Sequence, residues 1–209
     1  MVVQMYRLQQ TDPRYQSYES QFNNSWNHPG KSAKVKQIFL AEESGIDRAY
    51  RGKRFNTYRN NGNFEVYFHG TQRACNIGRW GTSLRYCKKP ECRLCSILWH
   101  SFDVKFSGCM FGAGIYTTPC SSKADIYARN HHLLSSRHAM LICRVVSNYP
   151  RQLGAADSSL ASPGSGYDSV RGLTVLEGGT LNYSEVVVYR NDAIVPIGVI
   201  FYTRNGWSP

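Results

Sequence analysis

Met110-Phe111-Gly112-Ala113-Gly114-Ile115-Tyr116, followed after Pro119 by Ser121-Ser122-Lys123-Ala124-Asp125-Ile126-Tyr127, is the stretch on which the reading of this chain turns. The Gly-Ala-Gly run reads as a turn entering a short strand over Ile115-Tyr116-Thr117-Thr118. Pro119 ends that strand, because it has no N–H to give to a ladder. Ser122, with Asp125 three residues on, reads as a helix start, and Tyr127 would lie within that helix. Two further segments flank this one. Upstream, Phe64, Val66 and Phe68 alternate with Glu65 and Tyr67, the signature of a half-buried strand; it runs out at His69-Gly70-Thr71. A glycine there lets backbone approach a flat ligand with no Cβ between them. Downstream, Tyr183-Ser184 leads into Glu185-Val186-Val187-Val188, a β-branched run that reads as a buried strand opened by an acid.

Taken singly, a strand-end His, a Gly-x-Gly and a strand-opening Glu each have an ordinary structural reading. Together, in this order and with these flanks, they resemble the catalytic domain of the poly-ADP-ribose polymerase family over roughly residues 30 to 203. The resemblance implies an α+β fold, the ADP-ribosyltransferase fold, with two packed antiparallel sheets around an NAD cleft and flanking helices. It implies a His69, Tyr116, Glu185 catalytic set that cleaves NAD at its nicotinamide bond. It further implies that His69 holds the adenosine-side ribose and that the Gly70 backbone binds the carboxamide. Thr71 and Ser122 are the remaining contacts to the cofactor that it implies, Tyr127 stacks on the nicotinamide, and Glu185 supports an oxocarbenium-like transition state. Lys123 and Tyr183 fall on the acceptor side. The family's arginine-modifying toxins carry an acid at the position of Tyr183, so arginine is not the expected acceptor. Ala124 stands where well-studied members have a serine that donates to the carboxamide, which removes a hydrogen bond worth about 0.5–1.5 kcal/mol. The expected activity is transfer of ADP-ribose from NAD to a protein or nucleic-acid acceptor. An NAD glycohydrolase is the alternative enzyme, and a catalytically silent ADP-ribose or nucleic-acid binding module is the alternative outside enzymes.

Seven cysteines punctuate the 209 residues, and four of them crowd between Cys75 and Cys95. Cys87, Cys92 and Cys95 follow a C-x4-C-x2-C spacing, and Cys75 would complete a tetrahedral four-thiolate zinc site, with His100 the alternative fourth ligand. Arg85, Lys88, Lys89 and Arg93 would offset the thiolate charge. A closed four-ligand site is structural, with no open position for catalysis. Tankyrases, in the same family, have a zinc site of similar spacing. Cys109, Cys120 and Cys143 read as ordinary buried thiols. The odd cysteine count and the absence of an apolar leader after Met1 argue against a disulfide framework and for an intracellular, cytoplasmic or nuclear, protein.

The chain reads as one domain, residues 1–209, with a helical extension over 1–30 and a Cys-rich donor-side insertion over 73–110. Asp12-Pro13 is a helix start, and Tyr15, Tyr18, Phe22 and Trp26 share one helical face. No apolar run is long enough to span a membrane, and a monomer is expected. The net charge of +11 is uneven. Residues 31–60 hold eight basic and three acidic side chains, and residues 73–93 hold six and one, each a net +5; residues 152–209 come to −2. Such a basic face suits nucleic acid, although no known nucleic-acid module is present.

Overall fold

A computed structural model of the chain describes residues 4–60, 62–79, 83–106 and 110–206, with the side chains of residues 47, 48, 50 and 106 left aside. Cys109 lies outside the described residues. Nine strands and five α-helices follow one another as β1 (Met5–Arg7), α1 (Pro13–Asn24), β2 (Ser32–Ala41), α2 (Glu43–Arg48), α3 (Tyr50–Arg59), β3 (Glu65–Gly70), α4 (Arg93–His100), β4 (Ile115–Thr117), α5 (Ser121–Asp125), β5 (Arg137–Val145), β6 (Pro150–Leu153), β7 (Ser169–Gly172), β8 (Glu185–Val188) and β9 (Ile194–Asn205). They form two sheets, a five-stranded one in the order β1-β2-β9-β5-β3 and a four-stranded one in the order β4-β8-β7-β6. This is the α+β architecture expected from the sequence. One detail departs from it: β6 and β7 pair in parallel, whereas every other pair of strands is antiparallel. The connection between them, residues 154–168, is long enough to return the chain to the same end of the sheet.

The centre of the larger sheet is β9, whose first nine residues are all buried. A strand buried on both faces reads as a continuous apolar run. Helix α1 covers one face. Its N-cap is Asp12, whose carboxylate accepts from Arg14 N at 2.9 Å, with Pro13 at the first helical position. Tyr15 and Phe22 are buried beneath it, and Phe22 meets Phe68 of β3 edge-on and Tyr202 of β9 at 5.1 Å. Trp26 lies beyond the helix end, yet it packs on the same cluster through Phe22 and Tyr202. The amino-terminal segment is therefore not wholly helical, since β1 pairs with the end of β2 before α1 begins.

The two sheets are joined at the site. Phe68 in β3 and Thr118, just past β4, exchange both backbone hydrogen bonds, at 2.9 and 3.0 Å. That isolated bridge brings the end of β3, carrying His69 and Gly70, beside the end of β4, carrying Tyr116. Pairing of β4 with β8 then places Tyr116 opposite Val187, which brings Glu185 to the same end. Among the described residues, no helix is long and apolar enough to cross a membrane.

Candidate active site

Two adjoining cavities meet at His69, Gly70 and Tyr127, which line both. The smaller, about 310 Å³, is walled by Phe68, Met110, Tyr116, Thr118, Lys123, Ala124 and Glu185. The larger, about 710 Å³, carries Thr71, Arg54, Arg93, Arg129, His100 and Phe102. His69 is half-buried between them. Its Nδ1 lies 2.8 Å from the backbone oxygen of Tyr116. A carbonyl can only accept, so Nδ1 carries the proton and Nε2 is left as an acceptor. Desolvation holds the imidazole below its usual pKa, against the smaller opposing effect of that carbonyl, which keeps the ring neutral. The Phe102 ring stands edge-on to it at 4.9 Å and fixes its plane.

Gly70 cannot be replaced without moving the site. A Cβ there would fall 1.7 Å from the backbone oxygen of Ala124 and 3.0 Å from Cβ of Tyr127. The start of β8 supplies Glu185, buried at 6% exposure, with Oε1 3.0 Å from Lys123 Nζ. The same ammonium donates to the backbone oxygen of Tyr183 at 2.8 Å. The carboxylate and the ammonium are thus presented as a fixed pair at the floor of the smaller cavity. Tyr116 sits in the wall with its hydroxyl engaged: it accepts from Phe111 N at 2.8 Å and donates to the Gly112 oxygen at 2.9 Å. It pins the Gly-Ala-Gly turn, whose Gly112 has a φ of 71°, a left-handed conformation that glycine adopts without strain.

Three sequence expectations are corrected at α5. The helix spans only Ser121–Asp125 and begins after Cys120, so Ser122 does not cap it. Asp125 is not its capping partner either. It is fully buried, accepts from the Tyr202 hydroxyl, and pairs with Arg204 Nη1 at 2.5 Å. Tyr127 lies past the helix end, in a turn closed by Tyr127 N donating to Ala124 O at 3.1 Å, with its side chain 53% exposed at the junction of the two cavities. Ser122, expected from the resemblance to contact the cofactor, is not among the residues lining either cavity. It is buried and accepts from the backbone N–H of Asn27 at 2.9 Å and of His28 at 3.2 Å. Tyr183 faces the same amino-terminal segment, stacked on His28 at 4.2 Å with its hydroxyl donating to Asn27 O. Ala124 is buried with its carbonyl against Gly70, so no hydroxyl stands at that point.

The sulfur atoms of Cys75, Cys87, Cys92 and Cys95 all lie within 4.8 Å of one another. Cys75 is 3.6 Å from Cys95 and 3.7 Å from Cys92, sulfur to sulfur. Four thiolates about 2.3 Å from one zinc ion sit about 3.8 Å apart along each edge of a tetrahedron, so the spacing fits the ion. His100 is not part of this cluster. It lies on α4 facing the larger cavity, so of the two candidates for the fourth position the geometry brings in Cys75. Hydrogen bonding with Cys75 and Cys95 pulls the Cys92 thiol down, contact with Cys92 pushes Cys75 up, and contacts with Cys75 and Cys92 push Cys95 up. Cys120 and Cys143 are buried and apart from the cluster.

Residue-level reading of the sequence missed Arg54, Arg129 and Met110 as cavity-lining groups. The excess of positive charge over residues 31–60 was the only signal for Arg54, and Arg129 lay in neither basic block. Ser101, also in the wall of the larger cavity, has a φ of 66° and a buried hydroxyl with no partner among the described residues. No local sequence signal marks a serine in that conformation.

The model of one protein family, described as the poly(ADP-ribose) polymerase catalytic domain, matches residues 14–206. No curated protein matches the chain.

Proposed function

The chain belongs to the poly(ADP-ribose) polymerase catalytic domain family, and on that premise we propose that it is an NAD-dependent ADP-ribosyltransferase that releases nicotinamide and passes ADP-ribose to a nucleophilic acceptor. The observation that carries this reading is the buried Glu185–Lys123 pair at the floor of a cavity whose rim is His69, Gly70 and Tyr127. Breaking the bond between the ribose and the nicotinamide nitrogen sends its electron pair to the ring, which leaves neutral, and the sugar carbon becomes cationic. A carboxylate already fixed beside that carbon stabilises the developing charge with no reorganisation when the bond breaks. The acceptor then bonds to the same carbon and loses its proton.

The remaining residues divide between the two halves of the donor. Tyr127 offers its ring to the nicotinamide at the cavity junction, and the Gly70 backbone lies close enough for the carboxamide. The Nε2 of neutral His69 accepts from a ribose hydroxyl. Arg54, Arg93 and Arg129 in the larger cavity, against Asp103 alone, suit the diphosphate. Lys123 keeps Glu185 in place and reaches toward the acceptor.

We further propose that Cys75, Cys87, Cys92 and Cys95 hold one zinc ion, which ties the segment after β3 to α4 and so shapes the wall of the larger cavity. The four ligands leave the ion no position for substrate.

Incubation with NAD labelled in the adenylate half, alone and with protein and nucleic-acid acceptors, tests the reading. Label on either acceptor with stoichiometric nicotinamide supports transfer. Free ADP-ribose alone selects hydrolysis, and intact NAD throughout overturns the proposal.

A further inference from the structure

Alongside the larger cavity lies a separate hollow of about 450 Å³, lined by Lys88, Lys89, Pro90, Ser96, Trp99 and His100, with Cys87 and Cys95 at its base. Trp99 is 39% exposed there, and the Tyr86 ring meets it edge-on at 6.2 Å. The hollow shares Ser96 and His100 with the larger cavity. The larger cavity in turn shares Arg54 with a third depression on α3, lined by Lys53, Tyr58 and Arg190. The three depressions therefore adjoin one another in series. Along them stand seven Lys and Arg side chains and two acids, Asp103 and Asp192. Asp192 is paired with Arg190, and Asp103 accepts from Lys105 N and Asn191. Glu91, on the same loop as Lys88 and Lys89, does not line the hollow. The two basic blocks of the sequence supply five of these seven side chains, Lys53 and Arg54 from α3 and Lys88, Lys89 and Arg93 from the Cys-rich segment; Arg129 and Arg190 come from outside both.

We propose that this series of depressions binds single-stranded nucleic acid, with a base stacked on Trp99, its flanking phosphates on Lys88 and Lys89, and the strand following Arg93 and Arg54. A charged groove that tracks a phosphate backbone, with an aromatic ring open to a base, is how single strands are held without sequence preference. A duplex keeps its bases stacked and cannot offer one to the indole. Arg93 and Arg54 are also the arginines assigned above to the donor diphosphate, so the assignment rests on Trp99, Lys88 and Lys89, which line the separate hollow, and its test is run without NAD.

The test is fluorescence anisotropy of a labelled oligothymidylate, and of a mixed-sequence duplex of equal length, titrated with the full chain over a range of salt. The single strand is expected to bind more tightly than the duplex and to quench tryptophan emission. Trp99→Ala should weaken single-strand binding about 5- to 100-fold, the loss of one stacked base. Lys88→Ala with Lys89→Ala, both exposed and with an unchanged Tm as the control for folding, should flatten the log–log salt slope by about 1.4, two contacts at about 0.7 each. Loss through the lysines with no change in Trp99→Ala, or duplex binding equal to single-strand binding, would mean that charge alone attracts polyanions and would overturn the assignment. So would binding unaltered in both variants, or none at low salt.

Discussion

Glu185→Gln separates the chemistry of the site from its stability, and the structure fixes how large each effect should be. The substitution keeps volume and one acceptor oxygen but removes the charge 3.0 Å from Lys123 Nζ. At an effective dielectric of about 20, two unit charges at that distance attract by about 5–6 kcal/mol before desolvation is subtracted. Removing one partner of a buried pair outright costs about 3–5 kcal/mol. The glutamine oxygen still accepts from the ammonium, and Tyr183 O remains at 2.8 Å, so the expected loss of stability is smaller, about 1–3 kcal/mol. Turnover should fall about 10²–10³-fold, the scale of one preorganised electrostatic contact. Nicotinamide release measures the second effect and urea unfolding the first. The double variant Glu185→Gln with Lys123→Met removes the buried ammonium as well. It should recover stability, because an apolar chain replaces an under-paired charge, while turnover stays low. Wild-type nicotinamide release in Glu185→Gln, or activity returning with stability in the double variant, would refute the argument.

Tyr127→Ala should raise KM for NAD several-fold while kcat changes little, since the ring contributes to binding in both ground and transition states; an unchanged KM in steady-state kinetics removes Tyr127 from the donor site. Elemental analysis of protein purified without added metal should give about one zinc per chain, and Cys92→Ser should lose it along with several degrees of Tm; a metal-free chain with the same Tm sinks the zinc assignment. Burial lowers the pKa of His69, His138 and His28 below the ordinary 6.5. Between their native values and 6.5 the unfolded chain binds more protons, so stability should be level above pH about 6.5 and decline as pH falls below it. Urea unfolding across that range checks the sign, and stability that rises on acidification contradicts it.

How far the sequence could be read depended on whether a pattern was local. The strand ending at His69 and the run from Glu185 to Val188 announce themselves through alternation and β-branching, and both fold as read. The helix start at Asp12-Pro13 was equally local. At Ser121–Asp125 the same kind of pattern misled. Ser-x-x-Asp is a helix-start signature, yet Asp125 is drawn away to Arg204 and Tyr202 on β9, and Ser122 is taken by the backbone of Asn27 and His28. A buried charge with a cationic partner outweighs an N-cap hydrogen bond worth about 1 kcal/mol. Strand β1 carries no pattern over three residues and forms only because the end of β2 offers it an edge. The cysteine spacing pointed to Cys75 with His100 as the alternative, and the structure groups Cys75 with the other three sulfurs while α4 carries His100 to the larger cavity.

The same distant contacts explain how a side chain as exposed as Tyr127 can keep a fixed place at the junction of the two cavities. A ring more than half open to solvent holds its position only if its backbone is fixed from below. Beyond the five residues of α5 the chain runs through turns, and three side chains from elsewhere anchor it. Arg204 of β9 reaches the carboxylate of Asp125 and also its backbone oxygen at 3.2 Å. His138 of β5 lies with Nδ1 3.1 Å from the Ala128 oxygen. Arg73, buried just past β3, donates to Asn130 Oδ1 at 3.1 Å and to the Arg137 oxygen at the start of β5. Each anchor stands in or beside the larger sheet, the sheet that also carries His69 and Gly70. The Tyr127 ring and the strand end beside it are therefore held by one frame. The Phe68–Thr118 bridge passes that frame on to β4 and β8, and so to Glu185.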